Sequence, residues 1–177
     1  MKLILISLTC FLAMLISGGV NAAGMESHEL QWRFIKNFVR YVEWPPKSPH
    51  SPFNFCIAGA AGFSSLPEQI KLKKQKSPLI TTRFESKLPN HEELASCDVL
   101  YFSQSLDYDK HIYLLSAISK LPILSVSERN NFYKQGGVVQ FLTVDRKLKF
   151  IIAAESARRV GIVFAPALLR LSHLQGE

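Results

Sequence analysis

The sequence is short of nearly everything that marks an enzyme. It has five histidines, His28, His50, His91, His111 and His173. None stands at metal-ligand spacing from another histidine or a cysteine. His91-Glu92-Glu93 is the densest titratable cluster, and it falls in a polar connector where solvent is its natural partner. There is no G-x-S-x-G elbow, and no serine sits on a strand-to-helix glycine turn with a histidine and aspartate to activate it. There is no C-x-x-C, which argues against a thioredoxin-like reductase. Cys56 lies mid-strand among apolar neighbours, where a thiol is inert. The carboxylate pairs Glu92/Glu93 and Asp107/Asp109 fall in connectors. The expectation is therefore a protein that is not an enzyme, with no catalytic residues, no metal and no cofactor.

Low complexity is also missing. Glycine and proline number nine each, charged residues make up 20% and hydrophobic residues 47% of 177 positions. That composition excludes a disordered or collagenous chain and suits one domain. The net charge of +7 comes without any nucleic-acid motif. Its one dense cluster, Lys71, Lys73, Lys74 and Lys76, reads as a solvated helix end and loop, with contact to an anionic lipid or acidic partner as the functional alternative.

Residues 1–22 read as a secretory signal peptide. Lys2 supplies the positive start, and Leu3 to Ile16 is an apolar run relieved only by Ser7, Thr9 and Cys10. Ser17-Gly18-Gly19 breaks it, and Val20-Asn21-Ala22 forms the cleavage site, with processing near Ala22. The run is too short for the roughly 20 apolar residues that span a bilayer. Cys10 lies inside it, not behind a small-residue box, which disfavours a lipoprotein. The mature protein, about residues 23–177, is expected to be exported and soluble. Export also argues against a nucleic-acid partner.

Two cysteines then remain, Cys56 and Cys97, an even number in an oxidising compartment. A disulfide between them is the favoured reading and a pair of buried free thiols the alternative.

Periodicity gives the organisation. Leu30, Phe34, Phe38 and Tyr41, widened by Ile35, Val39 and Val42, predict an amphipathic helix over 27–43, stopped by Pro45-Pro46. Strands are predicted at 53–58, 78–85, 98–103 and 121–126, and a hairpin at 138–153 turning on Asp145-Arg146-Lys147. Helices are predicted at 66–74, capped by Ser64 or Ser65, at 110–120, and from Glu155 or Ser156 with an interruption at Pro166. Residues 89–94 read as a connector with a single helical turn. The turn Gly59-Ala60-Ala61-Gly62-Phe63 lacks the spacing of a dinucleotide fingerprint and reads as structural. The fold class is α/β: a single domain with a mixed, partly parallel sheet flanked by helices.

Two constellations could carry function. Trp44-Pro45-Pro46 forms a corner that packing would explain. Arg158, Arg159 and Arg170, with His173 one turn beyond Arg170, could receive an anion at the last helix.

In their order and spacing, the segments resemble the YfiR-like periplasmic family over about residues 30–173. The resemblance rests on FIKNFVRYVEWP (Phe34 to Pro45), FNFCIAG (Phe53 to Gly59), ASCDVLYFS (Ala95 to Ser103) and LPILSVSE (Leu121 to Glu128). Phe132 with Gly136 to Leu142, and KLKFIIAAESARRVGIVFAPALLRLS (Lys147 to Ser172), complete it. The resemblance implies a small periplasmic α/β domain, a homodimer without catalytic activity. It would bind and repress the periplasmic sensor region of an inner-membrane diguanylate cyclase, lowering cyclic-di-GMP and biofilm formation. An outer-membrane OmpA-like lipoprotein would sequester it. The resemblance also places the family's strand–strand cysteine pair on Cys56 and Cys97. The chain departs from members with a second pair around the Gly-Gly segment, since 131–139 contains no cysteine. Partner contact is expected through an exposed apolar patch at Phe132, Tyr133 and Val138 and through the last helix. The alternative function is a periplasmic module for a small ligand, an anion or nucleotide, held by the Arg158/Arg159/Arg170/His173 group.

Overall fold

The computed structural model describes residues 22–46, 51–63, 66–72, 76–85 and 87–172, with side chains from His28 onward. Residues 1–21 of the leader, the Ser64/Ser65 cap, Lys73, Lys74 and His173 lie outside the described residues.

In chain order the elements are helix α1 (Ala22–Tyr41), strands β1 (Val42–Glu43), β2 (Phe53–Ala58), β3 (Gln69–Lys71) and β4 (Lys76–Phe84), and helix α2 (His91–Ala95). Then come β5 (Val99–Phe102), α3 (Tyr108–Ala117), β6 (Leu124–Ser127), a 3-10 turn (Tyr133–Gln135), β7 (Val139–Val144) and β8 (Lys147–Ile152). Helix α4 (Ala154–Arg159), β9 (Val163–Phe164) and α5 (Pro166–Leu169) close the chain.

Seven strands form one mixed sheet in the order β3-β4-β2-β5-β6-β7-β8. The five central strands are parallel, and β3 and β8 are antiparallel edges. This is the single mixed α/β domain that the alternation of elements predicts. The β7–β8 hairpin turns on Asp145 and Arg146, both at positive φ (49° and 60°), as a two-residue turn matched to strand twist requires.

Strand alternation builds two cores. Phe53, Phe55, Ile57, Val99, Tyr101, Leu124, Val126, Val139 and Phe141 face α1, which contributes Trp32, Ile35, Phe38 and Val39. Cys56, Ala58, Leu100 and Phe102 face the other way, against Leu94 of α2, Leu114 and Leu115 of α3 and Ile118 at its end. Burying each large side chain stabilises the fold by roughly 1.5–3 kcal/mol. The tail returns to the start: β9 pairs antiparallel with β1, Val42 opposite Phe164 and Glu43 opposite Val163.

Several expectations change. Residues 66–74 do not form a helix in their described part. Gln69–Lys71 is an edge strand with Ile70 buried between two exposed neighbours, paired to Lys76–Pro78. The edge amides of β4 needed partners, and the Leu79 amide extends that pairing by donating to the Glu68 carbonyl. The buried stripe of α1 is turned from the expected one. Leu30 and Tyr41 are exposed, whereas Gln31 and Trp32 are buried. Helix α3 starts at Tyr108 because the Asp107 carboxylate accepts from the Asp109 and Lys110 amides. The connector before β5 holds a true short helix with an Asn90–Glu93 capping box. After α4, Gly161 (φ 75°) and β9 break the helical run, and Pro166 opens α5 at its first turn instead of interrupting a helix.

The adjacent glycines have separate reasons. Gly136 takes φ 102°, and a Cβ there would meet no atom within 4 Å. At Gly137 a Cβ would lie 2.2 Å from Phe132 Cε1, and that ring is fully buried. Gly137→Ala is therefore expected to cost about 1–3 kcal/mol by overpacking. Gly136→Ala is expected to cost about 1–2 kcal/mol through its backbone alone. Urea unfolding of both variants checks this; a Gly137→Ala protein as stable as wild type would contradict the packing.

Candidate functional site

Three regions gather the polar and reactive groups. The first is the disulfide. Cys56 on β2 and Cys97 just before β5 are bonded, with Cα atoms 5.9 Å apart. Both are buried in the α2–α3 core. Beside them Asn54 and Asp98 clasp the same two segments: the Asp98 amide donates to the Asn54 carbonyl (2.9 Å), and the Asn54 amide donates to Asp98 Oδ2 (2.8 Å). The bond thus locks β2 to the α2–β5 junction.

The second region is the carboxyl end of the parallel strands, where open α/β sheets bind ligands at the point of chain reversal. That point lies between β2 and β5. Here it is closed. The Ala60 amide donates to Ser105 Oγ (2.9 Å), and the Ser103 hydroxyl donates to the Ala60 carbonyl. Arg83 donates to the carbonyls of Ala61 (3.0 Å) and Phe63 (2.9 Å). The glycine turn is laced to its neighbours, as a structural turn should be. Next to it, Tyr101 Oη donates to Gln31 Oε1 (2.7 Å) and Gln31 Nε2 donates to Glu128 Oε2 (2.9 Å). Burial pushes the Tyr101 phenol far above its ordinary range, and the Glu128 charge reinforces it. This network joins α1, β5 and the end of β6, and its phenol stays protonated at physiological pH.

The third region surrounds the Gly-Gly turn. Phe132 and Val138, expected on an exposed patch, are buried core residues, and only Tyr133 of the three is partly exposed. The physical reason is the turn: Phe132 lies beneath Gly137 and packs against Phe102 (5.3 Å) and His111 (5.7 Å). His111 is itself buried on α3, with Nε2 donating to Gln135 Oε1 (3.1 Å) and no partner for Nδ1 among the described residues. Desolvation holds its pKa below the ordinary value; the Gln135 bond opposes that, and the Arg129 charge adds to it.

Three of the four residues expected to hold an anion are described. Arg158 pairs with Glu155, one turn back on α4. Arg159 Nη2 donates to Ser156 Oγ (2.9 Å). Arg170 follows directly after α5, and His173 is not described. Trp44 is half-buried, donates to the Val39 carbonyl (3.3 Å) and meets Phe53 edge-on, which is packing. Real surface apolarity lies elsewhere. Tyr41 (49% exposed) and Val163 (47%) stand on the solvent side of the β1–β9 ribbon, with the Arg40 guanidinium 5.5 Å over the Tyr41 ring. Tyr108, Ile112 and Tyr113 are exposed on α3, and Leu171 after α5.

Sequence reasoning missed the Gln31–Tyr101–Glu128 network and buried His111. Each had a signal: a glutamine inside an apolar stripe, a tyrosine inside a buried strand, and a histidine on the apolar side of a short helix.

Among the described residues no cluster of three histidine, cysteine or acidic side chains is placed to hold a metal, and no helix is long and apolar enough to cross a membrane. A family model described as YfiR/HmsC-like matches residues 28–173. No curated protein matches the chain.

Replacing Cys56 and Cys97 together by alanine should lower stability by roughly 4 kcal/mol, the loop-closure value for this separation. Denaturant unfolding measures it, and a loss below about 1 kcal/mol would mean that packing alone holds the frame. His111 should make stability depend on pH. Its folded pKa is depressed, so the unfolded chain binds the proton more readily. Its contribution is full above the ordinary imidazole value of about 6.5 and is lost as pH falls from there toward the folded value. Unfolding midpoints measured across that window should fall in the wild type and fall less in His111→Gln.

Proposed function

The chain belongs to the YfiR/HmsC-like family, and from that membership we propose that it regulates diguanylate cyclase signalling as an exported repressor. Family membership supports the regulatory, non-catalytic role. In the finer reading it binds the periplasmic sensor region of an inner-membrane diguanylate cyclase and favours the inactive conformation, a population shift that needs only differential affinity. Cyclic-di-GMP then stays low and biofilm formation is restrained. Residues 1–22 serve as the signal peptide, cleaved near Ala22. The Cys56–Cys97 bond suits the oxidising periplasm. A homodimer would hold two cyclase chains symmetrically, and an outer-membrane OmpA-like lipoprotein would release the cyclase by sequestering the repressor.

The observation that carries a contact surface is the β1–β9 ribbon. Tyr41 and Val163 expose apolar area beside Arg40 and Glu43, on backbone fixed by pairing at both chain ends. This replaces the Gly-Gly patch as the partner surface. A second reading, a module for a small anionic ligand, is favoured by a cavity bordered by Arg159.

Deleting the gene should raise cyclic-di-GMP, and supplying the exported wild type should restore it. Val163→Arg should fail to restore it while changing stability by no more than about 0.5 kcal/mol, as for other surface substitutions. Unchanged cyclic-di-GMP on deletion would overturn the proposal.

A further inference from the structure

The cavity of about 310 Å³ lies beside α3, bordered by the segments that lead into β6 and β7 and by α4. Its lining mixes aliphatic side chains, among them Ile112, Leu115 and Val160, with the hydroxyls of Ser125 and Ser156, the amide of Gln135 and one formal charge, Arg159. Three of these polar groups are held in place. Ser125 Oγ accepts from the Val138 amide (3.0 Å), Gln135 Oε1 accepts from His111, and Ser156 Oγ accepts from Arg159 Nη2. Among the described residues no carboxylate pairs with Arg159, whereas its neighbour Arg158 is paired with Glu155. The cavity therefore has at its border an exposed cation anchored to Ser156 Oγ, with no carboxylate among the described residues paired to it.

We propose that this cavity binds a small monocarboxylate with an apolar body, its carboxylate on Arg159 and its hydrocarbon against Ile112, Leu115 and Val160. The chemistry is a few placed polar groups in a mostly apolar cleft at the small end of ligand-site volumes. A guanidinium matches a carboxylate with two parallel N–H donors. The inference rests on the second functional reading and is independent of the cyclase reading. It also relocates the anion site: of the three described residues expected to hold an anion, Arg158, Arg159 and Arg170, only Arg159 lines the cavity.

The test is a titration of the intact mature protein with hexanoate, and with hexanamide as the uncharged control, followed by methyl and amide NMR. Hexanoate should give saturable shifts at Ile112, Leu115, Val138 and Val160, with hexanamide binding about tenfold more weakly, the scale of a lost charge-assisted bond. Arg159→Gln should weaken hexanoate to the level of hexanamide, and Arg158→Gln should not. Ser116→Trp, at an exposed position that fills the cleft, should abolish both while the protein remains folded by its spectrum. Saturable shifts confined to Arg170 and Leu171 would overturn this site and leave an anion-binding module standing. Equal affinity for hexanoate and hexanamide, or insensitivity to Arg159→Gln, would overturn the assignment of Arg159. No saturable shift with either compound would overturn the site.

Discussion

The packing of α1 across one face of the sheet is the constraint on which the rest depends. Five parallel strands present apolar side chains on both faces, so each face needs a cover. On one side α2 and α3 supply it, short helices that lead from β4 to β5 and from β5 to β6. On the other, α1 lies over the sheet, with Trp32 against Phe55 (5.0 Å) and Phe38 against Phe150 (5.0 Å) and Phe141 (6.1 Å). Those aromatic contacts join the chain's beginning to its last hairpin. They also bring the end of α1 to β9, so the β1–β9 ribbon exists because α1 is where it is.

The covalent bond acts on the other layer. Cys56 and Cys97 tie the inner strand β2 to the entrance of the central strand β5, within the α2–α3 core. Noncovalent packing on one face and a crosslink on the other hold the middle of the sheet from both sides. The polar network of Gln31, Tyr101 and Glu128 then fixes how α1 sits along the strands.

Much of this was legible from residue spacing. The parallel strands announce themselves as short apolar runs between turns, the late hairpin by alternation around Asp145-Arg146, and the disulfide by cysteine parity. What escaped had physical causes. Gln31 in the buried stripe of α1 disguised its orientation, because a polar residue enters a core only when distant partners such as Tyr101 and Glu128 satisfy it. Lysines at 71 and 76 suggested a helix end where an edge strand forms, since edge pairing is decided by a neighbour's open amides. Phe132 and Val138 looked exposed because glycines flank them, yet Gly137 is what lets the Phe132 ring tuck beneath the backbone. The two-residue strands β1 and β9 are too short to leave a pattern at all. The β1–β9 ribbon and the cavity, which depend on such long-range placements, were the least legible parts.

The regulatory reading makes one physical demand above all: a membrane partner must bind the oxidised, mature chain. The most direct measurement is a pull-down of the tagged mature protein from membranes under oxidising and reducing conditions, read by mass spectrometry. The account predicts recovery of an inner-membrane diguanylate cyclase with a periplasmic domain from oxidised samples. Recovery of no membrane protein under either condition would contradict it.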